Sequence, residues 1–287
     1  MARLDQRHAR NAAGEWFVDE RCIDCDTCRE LAPEVFVDIG TQSVVGHQPG
    51  PDQERRAWFA AVACPTQSIG TIPRRRRPDG LFPHRVDDGV SLLGWNAEES
   101  FGADSYLVTR PEGNLLVDSP RFTKFLTEPI DALGGIAHVL LTHRDDVADA
   151  ARWAERYGSR VWIHPDDADA APFATDLLDC ERPTTIAPGV RAIPVPGHTR
   201  GSAVFLVDDR SLFSGDSLSW NRTTGDLHAF RSACWYSWSE QTRSLARLAD
   251  EARFEWVLPG HGGRVNAPAD ELHERLRALV QRMKAAA

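Results

Sequence analysis

Four apolar runs in this chain end in the same way, and together they restrict what it can fold into. Residues 137–141 run into Thr142-His143-Arg144-Asp145-Asp146. Ile193-Pro194-Val195-Pro196 leads to Gly197-His198, Leu212-Phe213-Ser214 to Gly215-Asp216, and Trp256-Val257-Leu258-Pro259 to Gly260-His261. A short apolar run bounded by turn residues reads as a buried strand, so each run places a histidine or a carboxylate at a strand tip. Glycine beside the polar residue lets the backbone approach a bound ion, and imidazole with carboxylate suits zinc or iron. Any one of the histidines alone reads first as a hydrogen-bonded structural residue. Four converging strand ends read as a metal site.

The order and spacing of these segments resemble the metallo-β-lactamase-fold superfamily: Thr-His with acids, Gly-His-Thr-x-Gly-Ser, Ser-Gly-Asp, then Pro-Gly-His-Gly. The resemblance covers residues 87–287 and includes Leu115-Leu116-Val117-Asp118, which is similar to the superfamily's early strand ending in Asp. It implies an αββα sandwich. The chain departs from the superfamily's His-x-His-x-Asp-His, because those positions read His143, Asp145, Val147 and Ala148. By the resemblance, a first metal position keeps His143, His198, Asp216 and Asp145, whereas a second keeps only Asp216 and His261. The expectation is one additional metal ion at most, iron or zinc, with His261 joining it or acting beside it as an acid-base group. Asp146 and Asp149 are alternative acids if the register slips. Asp145 or Asp146 reads equally well as the N-cap of a helix over residues 147–157, and a metal-free site is a further alternative.

The cysteines make a second pattern. Cys22-Ile-Asp-Cys25-Asp-Thr-Cys28 places three thiols at intervals of three, and Cys64-Pro65 follows after a gap. Cysteines packed this closely are poor disulfide partners for one another, but they can hold three corners of a cubane while the distant one holds the fourth. A zinc knuckle or a redox pair is the other reading. The stretch 15–72 resembles a bacterial-type ferredoxin, with Cys22, Cys25, Cys28 and Cys64 in the ligand positions. In two-cluster ferredoxins a further cysteine follows the triplet and precedes proline. Here that place is Ala32-Pro33, so a single 4Fe-4S cluster is expected. Such thiol chemistry fits a reducing cytosol.

The fold expected is α+β in two parts: a small ferredoxin-like domain over 1–72, a linker over 73–86, and the sandwich over 87–287. The linker Pro73-Arg74-Arg75-Arg76-Arg77-Pro78 has no apolar period and reads as a solvated, semi-stiff hinge; docking to an acidic partner or nucleic acid is the alternative. Hairpins are expected over 105–118 and 204–213, and a capping box at Ser237-Trp-Ser-Glu240 opens a helix to about residue 252. Asn266 is a candidate cap for the last helix. The segment Leu227 to Trp238 reads either as a core plug or as an aromatic wall offering His228, Arg231 and Tyr236 to a substrate. Cys180 and Cys234 belong to no motif. A net charge of −9 argues against nucleic acid as the main partner. No apolar run reaches about 18 residues, and a soluble cytoplasmic protein is expected.

A cluster held by four thiolates has no free corner, so its default role is one-electron transfer, and its fusion to a metal site suggests that it feeds or drains electrons there. Oxygen ligands suit iron, and the superfamily's diiron flavoproteins also carry an acid at the second ligand place. Three functions stay open: a mononuclear redox enzyme acting on a small molecule and served by a redox partner protein, a metal-dependent hydrolase whose cluster is structural or sensing, and a non-catalytic electron-transfer protein. Asp145, His261 and Tyr236 are the candidate catalytic side chains.

Overall fold

Alternation along the strands decides the architecture, because successive side chains of a strand point to opposite faces. In Ala203–Val207 and Ser211–Gly215, Phe205, Val207 and Phe213 enter a core between two sheets, whereas Val204, Leu206 and Leu212 face a pair of helices. Those helices, Trp238–Glu251 and Ala269–Ala285, contribute Leu245, Leu248, Leu272 and Leu276 to that second core. On the far side, Leu126 and Ile130 of Lys124–Ala132 and Trp153 of Ala150–Tyr157 are buried against the first sheet. The layers are therefore helix, sheet, sheet, helix. The computed structural model describes residues 2–285, and none of its helices is long and apolar enough to cross a membrane.

Strand direction brings the functional tips together. The first sheet has seven strands, with Leu115–Val117 parallel to His138–Leu140, which is in turn parallel to Arg160–Ile163. The second has six, and in it Ser211–Gly215 runs parallel to Trp256–Pro259. Parallel neighbours end at the same edge of a sheet. Asp118 and Thr142 thus meet at one edge, Asp216 and His261 at the other, and Ala203 N–H donates to Thr142 O across the gap at 2.8 Å.

The N-terminal part pairs Trp16–Val18 with Ile69–Thr71 and Phe36–Asp38 with Ser43–Val45, beside the helices Thr27–Leu31 and Pro51–Ala63. Its core is continuous with the inter-sheet core. The arginine run is pinned rather than a solvated hinge. Leu81 and Phe82 are buried, the Phe82 ring packs edge-on against Phe59, and the Arg77 guanidinium lies 3.8 Å over Phe125 and 4.9 Å over Trp95. Two stacked aromatic rings give a cation a face to sit on, and that contact outweighs free solvation. Residues 84–86, read above as linker, lie in the strand His84–Asp87 of the seven-stranded sheet.

Two local expectations are corrected. Residues 144–146 form a 3-10 turn, and the helix begins only at Ala150, with Asp149 at its cap and no carboxylate of 145 or 146 capping it. Asn266 does not cap the last helix: it pairs with Trp256 in a short strand, and its amide donates to Glu255 O at 3.0 Å. Ser237 does cap, accepting from Glu240 N–H.

Phe213 is fully buried between the sheets, 5.4 Å from the Tyr106 ring. Phe213→Ala should cost about 3–5 kcal/mol, measured by urea unfolding; a cost below about 1 kcal/mol would contradict a packed inter-sheet core at this point.

Candidate metal and cluster sites

The four motif cysteines line one cavity together with Thr27, Ser43 and Thr66. Asp24 and Asp26 adopt left-handed φ of 60° and 68°, which winds the loop inward at each step. Both carboxylates are held by Arg29. Burial pushes the Cys25 thiol up to about 12 and the Cys28 thiol far up, and neighbouring thiols add to the shift. Thiols so placed ionise only when a cation takes the proton's place. Ser68 N–H points at Cys64 Sγ at 3.3 Å, a bond that a cluster thiolate accepts well. The donor set fits a 4Fe-4S cluster.

The second site is built on two orphaned ring nitrogens. His143 Nδ1 lies 2.9 Å from Thr142 Oγ1, whose hydroxyl is in turn 3.0 Å from both oxygens of Asp118. His198 Nδ1 donates to Ala233 O at 2.5 Å. Each ring is therefore held by Nδ1 and turns Nε2 inward, and among the described residues the groups facing these two buried Nε2 atoms are the carboxylates of Asp145 and Asp216. The two nitrogens converge on Asp216 Oδ2, at 3.8 Å from His143 and 3.6 Å from His198. Burial lowers the His143 imidazole to about 4, which keeps it a neutral donor. Buried imidazole nitrogens aimed at one carboxylate are what a metal ion satisfies. Asp145 stands at the mouth, 46% exposed, with Oδ2 at 3.4 Å from His198 Nε2 and 3.9 Å from His143 Nε2.

Asp216 is shared with a second group. Its two oxygens lie 2.9 and 3.1 Å from His261 Nδ1, while His261 Nε2 faces Phe101 O at 3.4 Å. Burial opposes charge on both partners, yet the imidazolium holds Asp216 below its usual range and the carboxylate lifts His261 to about 10. Asp146 completes the group, buried and, among the described residues, with no hydrogen bond to either oxygen. Burial first, then Asp216 and Asp118, push its carboxyl far up. A cation among Asp146, Asp216 and His261 would relieve the same repulsion. Gly260 makes room, since a Cβ there would stand 2.8 Å from Asp146 Oδ2 and 3.0 Å from Asp216 Oδ1.

Comparison with known proteins agrees with this geometry. A family model described as "Metallo-beta-lactamase superfamily" matches residues 85–283. The chain belongs to the metallo-β-lactamase superfamily. A second model, "4Fe-4S single cluster domain of Ferredoxin I", matches residues 18–71, so a ferredoxin-type domain precedes the superfamily domain. The Bacillus subtilis protein YobT is 28% identical over 219 residues, covering 64% of this chain and 91% of its own. A hydroxyacylglutathione hydrolase from Xanthomonas oryzae pv. oryzae is 37% identical over 82 residues, 28% of this chain and 32% of its own. Among solved structures, TMB-1 aligns with a TM-score of 0.54 at 16% identity, covering 71% of this chain and 97% of its own. The metallo-β-lactamase DIM-1 aligns at 0.53 and 18%, covering 69% and 95%. These likenesses show the shared fold.

Within that superfamily frame, the structure brings His143, Asp145, His198, Asp216 and His261 together. Of the two alternative acids, Asp146 is the one that stands with Asp216 and His261, because the 3-10 turn at 144–146 carries it inward one position before Val147. Tyr236 lies on the rim, 49% exposed; its N–H and that of Trp235 both donate to His198 O, at 3.0 and 2.9 Å. Residues 235–236 therefore wall the site instead of plugging the core. His228 faces a different cavity, beside Arg222 and Phe230. Sequence reasoning gave no role to Phe101 or Gly102, which lie in a segment without motif, nor to the Ala233 carbonyl, which spacing does not reveal.

In protein stripped of the second-site metal, the His261–Asp216 pair contributes stability that is fully present below 6.5 and lost as pH rises through about 10. The stability gap between wild type and His261→Gln, about 3–5 kcal/mol at neutral pH, should shrink across that window in urea titrations. A gap that stays flat would mean that the imidazole is not charged in the folded state.

Proposed function

We propose that this protein is a mononuclear metalloenzyme of oxidoreductase type, with iron held by His143, His198 and Asp216, acting on a small molecule with electrons supplied through its own 4Fe-4S centre. One observation carries the reading: the cysteine loop and the metal site share a wall. Cys25 Sγ lies 3.4 Å from Thr27 Oγ1, which donates to Gly102 O at 3.0 Å in a buried bond. The adjacent carbonyl, Phe101 O, faces His261 Nε2, and His261 Nδ1 holds Asp216. Gly102 makes this approach possible, because a Cβ there would stand 2.9 Å from Cys25 Sγ. A purely structural cluster needs no such contact with the site.

When bound, the cluster supplies single electrons and the second metal a redox-active Lewis-acid centre. The chain's residues have separate tasks. His143 and His198, fixed through Nδ1, set the geometry of the donors. Asp145 at the mouth accepts a proton from, or orients, whatever binds there. His261 keeps a proton beside Asp216 and gives it up as charge at that carboxylate changes. Trp235 and Tyr236 form the outer wall, with the tyrosine hydroxyl offered to substrate.

A second reading is hydrolysis, favoured by the local similarity to the hydroxyacylglutathione hydrolase. There, Asp145 or Asp216 would orient a metal-activated water and the cluster would be structural or sensing.

Metal and sulfide analysis of anaerobically purified protein separates the two. The redox reading expects about four iron atoms for the cluster plus one that His198→Ala loses, with Cys25→Ser losing the cluster. Zinc in place of that iron, with turnover of an acyl-glutathione thioester, would sink it. Thr27→Val keeps the side chain's shape but removes the bond to Gly102; it should slow reoxidation of the reduced cluster in the iron-loaded protein, and Thr27→Ser should not.

A further inference from the structure

The arginine run takes part in none of the chemistry above, and the fold gives it a setting of its own. A groove of about 710 Å³ lies where the strands Trp16–Val18 and Ile69–Thr71 and the helix Pro51–Ala63 meet the run and Trp95. Its floor is apolar, with Phe17, Trp58, Val62, Ile69 and Ile72, and Leu4 stands at its edge 57% exposed. Its rim carries Arg74, Arg75, Arg76, Arg77 and Arg121; among the described residues none that lines it is acidic, and Glu15, Glu54 and Asp79 stand just outside it, although the chain as a whole has a net charge of −9.

Part of this charge is anchored and part is available. Arg75 is anchored by Glu54 and Glu15, and Arg77 by the Trp95–Phe125 stack. Arg74 has no ion pair among the described residues. Arg76 pairs with Asp79, but the two side chains are 83% and 80% exposed, so the pair is screened and worth little. An apolar floor inside an arginine rim is the anatomy of a protein-docking surface, with burial at the centre and steering at the edge. The positive rim selects an acidic partner.

What partner is decided by what lies beneath. Ile69 lines both the groove and the cysteine cavity, so the two share a wall at that side chain. Arg121 Nη2 donates to the Cys64 carbonyl at 3.3 Å, tying the rim to a cluster ligand. A carrier seated in the groove would bring its redox centre toward Cys64, away from the Gly102 contact at Cys25.

We propose that this groove is the docking site of an acidic one-electron carrier protein that reduces the cluster. The inference rests on the redox reading above. One electron leaves the reduced carrier and one enters the oxidised cluster; no bond is made or broken. Duplex nucleic acid fits less well, because the charges ring an apolar hollow instead of following a phosphate track.

The test uses the full-length, cluster-loaded protein and an acidic bacterial flavodoxin, reduced beforehand, with bleaching of the cluster followed by stopped flow. Arg74→Glu/Arg76→Glu should lower the rate about tenfold or more, and raised ionic strength should lower the wild-type rate. Reduction by dithionite should be equal in both proteins, which shows that the variant is folded and loaded. Equal carrier rates, a salt-independent wild-type rate, or a wild type that takes no electrons from the carrier at low salt would each overturn the proposal. So would binding of duplex DNA or phosphatidylserine vesicles that the double variant abolishes while its carrier rate stays unchanged. The readout is the cluster itself, so zinc at His143 and His198 would end the redox reading without obscuring this result.

Discussion

The carboxylate of Asp216 is the charge around which both donor groups assemble. His143 and His198 turn their free nitrogens toward one of its oxygens, His261 spans both, and Asp146 is buried beside it. None of these positions is sequence-local to another except His143 and Asp146. They coincide because parallel strand pairing ends at a common edge, and because Gly215 and Gly260 leave space that any side chain would fill. A Cβ on Gly215, at φ 49°, would stand 2.6 Å from Thr142 Oγ1, the hydroxyl that orients His143. Two glycines thus decide whether the carboxylate and the imidazoles can come together.

The cost of concentrating acids here is met locally. Asp118 is pushed up to about 7 by burial, against the bonds it accepts from Thr142. Asp146 is pushed well up by burial and by Asp216 and Asp118, with no hydrogen-bond donor to its oxygens among the described residues. Three buried carboxyl groups around one imidazolium are poor packing for stability and a good arrangement for holding cations and moving protons. Val147 and Ala148 offer no donor where the superfamily motif has aspartate and histidine; the acid beside Asp216 and His261 is Asp146, which the 3-10 turn delivers from one position earlier.

The other organising contact is between domains. Because the small domain's core continues into the inter-sheet core, the cysteine loop has a fixed seat against residues 96–104. Thr27 and Asn96 both donate to Gly102 O, at 3.0 and 2.7 Å, and Asp104 is clamped by Arg264. The segment between the two candidate centres is therefore anchored by hydrogen bonds and an ion pair.

Much of this was legible in the sequence. The cysteine spacing specified the ferredoxin domain, and four apolar runs ending in His143, His198, Asp216 and His261 specified the strand tips, since periodicity and spacing are short-range properties that a chain carries openly. The register at Asp146 was legible only as an alternative, because a 3-10 turn and the first turn of a helix look alike in residue type yet differ in which side chain they turn inward. The Thr27–Gly102 and His261–Phe101 contacts join residues 75 and 160 positions apart through backbone carbonyls, and a carbonyl leaves no trace in side-chain pattern. The arginine run read as a hinge for the same reason: its aromatic seat at Trp95 and Phe125 comes from another part of the chain. The sequence by itself determined which donors exist and which strands bear them; only the tertiary structure decided which of them meet, because that depends on how two sheets and a small domain pack.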